Sequence, residues 1–339
     1  MKNKLSILAT GATGFLGGRL VESLSKSGNY NIIATGRNTH KGKPLEQFAN
    51  VTFKAADLSN ATDVQKLCKD IDVVVHSAAL SSLWGKRQDF YDANVLATQN
   101  IVDACRAQGV KRLVHISTPS IYPQHLGQHL YNVEETFIPK TFISIYGETK
   151  YESEKVVQKV FKQGLETIIL RPRAIYGRGD YTIMPRVLKA YHAGRLKIIG
   201  DGKNMNDMAH VQNVVDAIIL SIHAEDKALG EAYNITDGQP VELWTVVARV
   251  LKELGLPWKA KKVPYAVVDK VAWAMEKWAK LTKSDKEPLL TRASVSVASH
   301  STTLSIQKAK RLLNYHPKHT LNDGLKEFVT WWKEQEQTV

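Results

Sequence analysis

A doubly wound parallel α/β sheet with a smaller C-terminal α/β lobe is the fold this sequence predicts, and three observations predict it. Up to about residue 175, short apolar β-branched runs alternate with stretches of helical periodicity. A tract with Gly11, Gly14 and Gly17 stands between the first apolar run and the first helical one. Beyond about residue 180 the alternation loosens into helices, loops and short strands. Alternation of this kind means right-handed βαβ units, hence a parallel sheet covered by helices on both faces. Such a sheet takes its ligand beyond the carboxyl ends of its strands.

The elements follow in order. Strands are predicted at LSILAT (5–10), YNIIAT (30–35), VTFKAA (51–56), DVVVHSA (72–78), RLVHIS (112–117) and ETIILRP (166–172). GFLGGRLVESLSKSG, TDVQKLCKD and NVLATQNIVDACRAQGV read as the helices between them, the last with a glycine stop. Later helices are predicted at RVLKAYHAGR, VQNVVDAIILSIHA, LWTVVARVLKELG and LNDGLKEFVTWWKEQ. Residues 1–175 then form the first domain and 176–339 most of a substrate lobe. No linker or low-complexity tract divides them, so the lobe is expected to pack directly on the first domain and supply the other wall of a cleft.

Composition sets the bounds. The 339 residues are 43% hydrophobic and 23% charged, ordinary for a chain that buries a large core. Cys68 and Cys105 lie far apart without metal-ligand spacing. They read as core thiols in a reducing compartment, with a cytoplasmic location expected and no metal site. No run approaches the roughly 20 apolar residues of a membrane span. The amphipathic segment 264–283, with Trp273 and Trp278 among lysines, reads as a lid or core-packing helix, with interfacial membrane contact as the alternative. Net charge is +13, which suits anionic ligands, but no nucleic-acid motif is present and the lysines are spread along the chain.

The glycine tract meets the structural condition for a dinucleotide site, since it follows a strand and opens a helix. Gly11 makes the tight turn, Gly14 lets the backbone approach a pyrophosphate, and Gly17 lets helix and strand pack closely, with the helix N-terminus offering free amides. The string TGATGFLG resembles the TGxxGFxG signature of the extended short-chain dehydrogenases/reductases, a Rossmann-type family, and further resemblances arrive in the family's order. They imply that Thr13, Phe15 and Leu16 join the glycines in holding the cofactor. Asp57 and Leu58 of AADLSN would meet the adenine, Ser77, Ala78 and Ala79 of VVVHSAAL the loop under the cofactor, and Asn94 the following helix. LVHISTPSIY places Thr118 at the catalytic hydroxyl position with Ser117 beside it, YGETKYESE matches YGxSKxxxE at Tyr146 and Lys150, and LRPRAIYGRGD sets Pro172 and Arg173 beside the nicotinamide.

Tyr146 and Lys150 are four apart and share a helix face. A second pair, Tyr151 and Lys155, overlaps the first. Five residues of helix rotate a side chain by roughly 140°, so both pairs cannot face one cleft. Tyr146 carries the glycine that follows the family's tyrosine, so Tyr151 and Lys155 are expected on the surface or in packing. A free phenol, with a pKa of about 10, is a poor base at neutral pH. A nearby ammonium and an oxidised nicotinamide would favour the phenolate and let Tyr146 relay a proton.

The second strand ends ATGRNT, with Gly36 where an NAD enzyme commonly carries an acid and Arg37 next. This favours NADP, because an arginine can clamp a 2′-phosphate; NAD is acceptable if Arg37 only stacks on adenine. The C-terminal half resembles the 3β-hydroxysteroid dehydrogenase-like branch. Sugar-nucleotide relatives carry an arginine before the aspartate of the corresponding stretch, where this chain has Asn206 and Asp207. The expected function is therefore interconversion of a secondary alcohol and a ketone on an apolar substrate, a sterol or a β-keto/β-hydroxy acid. The alternatives are a sugar-nucleotide epimerase or dehydratase and a non-catalytic NADP-binding regulator. Tyr176, Met184, Met205 and Met208 either line an apolar groove or pack in the core, and Arg173 or Arg186 would meet a substrate carboxylate. Helices at 94–109 and 146–163 are candidates for pairing across a homodimer.

Overall fold

The computed structural model describes residues 4–123, 130–134, 138–282 and 284–337. Met1–Asn3 of the basic start and Lys283 of the amphipathic segment lie outside the described residues. The main sheet comprises β1 (Leu5–Thr10), β2 (Tyr30–Gly36), β3 (Val51–Ala55), β4 (Val73–His76), β5 (Arg112–Ile116), β6 (Glu166–Pro172) and β7 (Ala232–Ile235). All seven run parallel in the order β7-β6-β5-β4-β1-β2-β3. Chain order reverses between β1 and β4, which opens the ligand crevice there. The principal helices are α1 (Phe15–Ser27), α2 (Ala61–Leu67), α3 (Ala97–Gln108), α4 (Ile145–Phe161), α5 (Met184–His192), α6 (Val211–Ile222), α7 (Leu243–Glu253), α8 (Tyr265–Leu281), α9 (Arg292–Ser299), α10 (Gln307–Leu313) and α11 (Leu321–Gln337).

The central strands are continuous apolar runs because both faces are covered. Ile7 and Ala9 face the core built with α1 and α6, while Leu8 between them faces the core built with α2, α3 and α4. At the edge, β3 alternates: Val51 and Phe53 are buried, Thr52 and Lys54 exposed. Helix ends follow local chemistry. Asn60 caps α2 by accepting from the Thr62 and Asp63 amides, and α1 stops at Gly28, whose φ of 70° is left-handed. Cys68 and Cys105 are buried in contact, and the Cys68 hydrogen bond together with burial pushes the Cys105 thiol well up.

The second half of the chain does two things. Residues of α6, β7 and α10 return to the main sheet and its first core. The rest builds a lobe around α5, α7, α8 and α11. A four-stranded sheet orders Val241–Glu242, Met205–Asn206, Thr302–Leu304 and Leu130–Val133. Tyr176, Met184 and Met208 are buried in the lobe's core, which decides their role in favour of packing, whereas Met205 is half-buried. The amphipathic segment forms α8, but only Ala272 and Ala279 of it are buried. It rests one face against α9 and leaves the other open, so the expectation of a core-packing helix is corrected to a half-docked one.

Candidate active site

The crevice begins with a backbone cradle. Thr10, last in β1, accepts a hydrogen bond from Ser77 Oγ at its carbonyl (2.6 Å) and from the Ala78 amide at its hydroxyl (3.2 Å), tying the ends of β1 and β4 together. Gly11 follows with φ of 68°, and a Cβ there would lie 2.8 Å from the Ala78 nitrogen. A Cβ on Gly17 would lie 2.2 Å from the Gly11 oxygen, so only glycine lets α1 start this close to β1. Gly14 is the N-cap of α1 and has no side chain to occupy the first-turn amides, which leaves them for an anion. Leu16 packs onto the first core, and Thr13, Phe15 and Ala79 sit around the same turn and the β4 exit with partial or full exposure. The cradle fits a pyrophosphate.

At the end of β2 the space is defined by Gly36, whose Cβ would lie 2.7 Å from Thr13 Oγ1. A carboxylate-bearing residue at that position would displace Thr13. Arg37 is exposed, and its charge acts on Asp57, whose carboxyl is held below its usual value first by the Ser59 amide and hydroxyl and then by Arg37. Leu58 is half-buried, its carbonyl accepting from Asn100 Nδ2 (2.9 Å).

The second wall is the start of α4. Ser144 caps it by accepting from the Gly147 amide (3.1 Å), and a Cβ on Gly147 would lie 2.6 Å from the Ser120 carbonyl oxygen. The helix therefore presses against the turn Pro119–Ile121, and the Tyr146 hydroxyl reaches the Thr118 side chain. Burial pushes the Tyr146 phenol up to about 12, with the Thr118 hydrogen bond pulling the other way. Thr118 is itself fixed, accepting from the Ser120 amide at 3.1 Å, whereas the buried Ser117 hydroxyl has no hydrogen-bond partner among the described residues. Burial pulls the Lys150 amine down to about 7, opposed by Glu154. Its Nζ lies 3.2 Å from His115 Nε2, and the raised Tyr146 phenol is set by burial and Thr118, without the downward pull expected from Lys150. The overlapping pair does pack away from this point: Lys155 Nζ lies 5.1 Å over the Tyr151 ring, which meets Phe142.

Two histidines that carry no motif lie behind Lys150. Strand register aligns Thr10 with His76 and His76 with His115 across the carboxyl edge. His76 Nδ1 is 2.9 Å from Thr10 Oγ1 and Nε2 is 3.1 Å from Thr98 Oγ1. Thr98 spends its proton on the Asn94 carbonyl (2.6 Å), so His76 donates from Nε2 and accepts at Nδ1 as a neutral ring. Burial, with Lys150 beyond, draws its pKa to about 3. Only the strand register reveals this row; in sequence the histidines are two strand residues. Asn94 sits in a π-helical turn, Asp92–Leu96, and clamps both the amide (2.7 Å) and carbonyl (3.1 Å) of Leu80 while donating to Thr149 Oγ1 (3.0 Å).

The far rim follows β6. Pro172 and Arg173 are buried, and Ala174 turns out of the strand with φ of 44°. Arg173 Nη2 donates to Asn206 Oδ1 (3.0 Å); burial draws the guanidinium down to about 10, opposed by Asp207. Arg186 is neutralised by Glu287 at 2.8 and 3.2 Å.

Comparison with known proteins places this geometry. Residues 8–265 match a model of the 3-beta hydroxysteroid dehydrogenase/isomerase family. A 2-alkyl-3-oxoalkanoate reductase of Stenotrophomonas maltophilia is 30% identical, covering 95% of this chain and 98% of its own. A 3beta-hydroxysteroid-dehydrogenase/decarboxylase of Arabidopsis thaliana is 33% identical, covering 95% and 78%. Among solved structures, UDP-glucuronic acid 4-epimerase from Bacillus cereus in complex with NAD superposes with a TM-score of 0.77 at 26% identity, covering 98% and 99%. The chain belongs to the 3-beta hydroxysteroid dehydrogenase/isomerase family and is an NAD(P)-dependent dehydrogenase/reductase of the extended short-chain class, acting between hydroxyl and keto groups.

Proposed function

We propose that this enzyme uses NADP(H) and interconverts a secondary alcohol and a ketone on a largely apolar substrate, a β-keto/β-hydroxy acid or a 3β-hydroxysteroid-like alcohol. The observation that carries the reading is the Tyr146 hydroxyl turned toward the Thr118 side chain one helical turn from the buried Lys150, all at the strand ends that carry the glycine cradle. Gly11, Gly14, Gly17 and the first amides of α1 would hold the pyrophosphate. Arg37 would hold the 2′-phosphate, and the clearance that Thr13 demands at Gly36 argues against an acid on the ribose. Asp57 and Leu58 border the adenine, and Ser77, Ala78, Ala79 and Asn94 the floor. Pro172 and Arg173 border the nicotinamide, which when bound supplies or takes up the hydride.

In the reduction, Tyr146 delivers its hydroxyl proton to the carbonyl oxygen while Thr118 donates a hydrogen bond to the same oxygen. In the oxidation, Tyr146 takes that proton, and the Lys150 charge favours the phenolate. The relatives named for 3-oxoalkanoate and 3β-hydroxysteroid substrates support an apolar ketone or alcohol here. Arg173, whose guanidinium donates to the Asn206 side-chain amide, is the cation offered to a substrate carboxylate, Arg186 being paired with Glu287. Asn206 brings no charge to meet a sugar-nucleotide diphosphate.

Following NADPH absorbance over a panel of β-keto acids, sterol ketones and UDP-sugars tests the reading. Turnover is expected with an apolar ketone and none with the sugars. Tyr146→Phe should lose roughly 100- to 10,000-fold in kcat while still binding cofactor. Turnover of UDP-sugars with silence toward every apolar ketone would replace this function by the epimerase one.

A further inference from the structure

The open face of α8 has a pattern of its own. Val267, Val271, Ala274, Trp278 and Leu281 recur at steps of four and three, so they form one stripe along the helix. The structure leaves that stripe in solvent: Val267 is 57% exposed, Trp278 70% and Leu281 80%. Large apolar side chains clustered this way on a helix ask for a cover. Beside the stripe run Lys270, Lys277 and Lys280, all exposed. At 100° per residue Lys270 and Lys277 fall on the stripe's immediate flank, with Trp273 and Lys280 just beyond. Lys277 Nζ lies 6.0 Å from the Trp273 ring, so this exposed tryptophan sits within the cationic strip.

We propose that α8 lies in the plane of an anionic lipid surface, with the Val267–Leu281 stripe in the acyl boundary and Lys270, Lys277 and Lys280 on the lipid phosphates. An exposed apolar stripe that includes Trp278, with lysines along its flank, is the arrangement such a surface rewards. A second copy of the chain fits less well. It would bring the same cations against their own kind, and a stripe roughly 22 Å long and one side chain wide falls short of the ~800 Å² per partner of a stable interface. The helix is also joined to the crevice. Just past its end, the Ser284 carbonyl accepts from Trp84 Nε1 at 3.1 Å and Asp285 pairs with Lys86 at 3.4 Å. Trp84 and Lys86 belong to the segment leaving β4 that Asn94 anchors at Leu80. Docking α8 on lipid therefore sets that segment beside the membrane, where an apolar substrate dissolves.

The test needs neither substrate nor cofactor, so its outcome is separate from that of the proposed reaction. The full-length protein is sedimented with vesicles of equal parts phosphatidylcholine and phosphatidylglycerol, and with phosphatidylcholine alone, at low and high salt. Binding to the anionic vesicles at low salt is expected, at least about tenfold weaker on the neutral ones and weakened by salt. The double variant Trp278→Ser, Leu281→Ser and the triple variant Lys270→Glu, Lys277→Glu, Lys280→Glu should each lose at least about tenfold in binding while keeping the wild-type thermal midpoint. No binding, equal binding to neutral vesicles, unchanged binding by the folded triple variant, or a dimer that the double variant dissolves in place of vesicle binding would each overturn the proposal.

Discussion

Lys150 has the most consequential surroundings of any single residue. In the folded chain its pKa is about 7 against an ordinary 10.5, so between those values the unfolded chain binds more protons than the native one. Stability attributable to this lysine therefore rises with pH across that window, the cost of its burial being full below about 7. Thermal melts of the cofactor-free protein and Lys150→Met should show it: the variant gains most over wild type near neutrality, and the gap closes toward pH 10. A constant gap would mean that the amine is not desolvated. Arg37→Asp, at an exposed position, should weaken NADPH binding far more than NADH binding, with an effect that shrinks at high salt; equal losses in parallel titrations would remove the 2′-phosphate assignment. Lys150 and Arg37 could be picked from the sequence because each stands in a spaced pattern. His115 could not, because the distance that matters is across the sheet.

Two helix starts carry the crevice, and each depends on a missing Cβ. Gly17→Ala would force a carbon to 2.2 Å from the Gly11 oxygen, and Gly147→Ala one to 2.6 Å from the Ser120 oxygen. Strain of this kind costs about 1–3 kcal/mol, but the readouts should part. Gly17→Ala should weaken cofactor binding, whereas Gly147→Ala should lift Tyr146 from Thr118 and lower kcat with cofactor affinity retained. Titration and steady-state kinetics on both variants check this, and identical profiles would contradict it. These helix starts are legible because glycine spacing is a local signal, the central strands because buried parallel strands are near-continuous apolar runs, and β3 because its edge position leaves an alternating pattern. The seventh was not legible. Ala232–Ile235 is four residues long with Asn234 inside it, an amide tolerated because it accepts from the Tyr122 hydroxyl at 2.8 Å and donates to the carbonyls of Val133 and Glu134.

For the whole molecule, that seventh strand ties the halves together. A fragment ending at residue 175 would expose β6 as an unpaired edge and strip α6 and α10 from one face of the sheet. Expressed alone, residues 1–175 should show no cooperative thermal transition, whereas the full chain should melt cooperatively; a folded fragment would mean that the returning elements are dispensable. The lobe's hydrophobic segments were readable as helices. Which of their faces would be covered was not, since α8 and α7 carry similar apolar content and only the tertiary packing distinguishes the buried one from the open one.

The two cysteines have a practical consequence. Both are buried, and the Cys105 thiol is held well above its usual pKa, so the native chain presents little thiolate to a maleimide. A cysteine introduced at Val271 would then be the site that reacts, and an environment-sensitive fluorophore attached there would report the polarity met by the open face of α8. The wild-type protein, unlabelled under the same conditions, serves as its own blank.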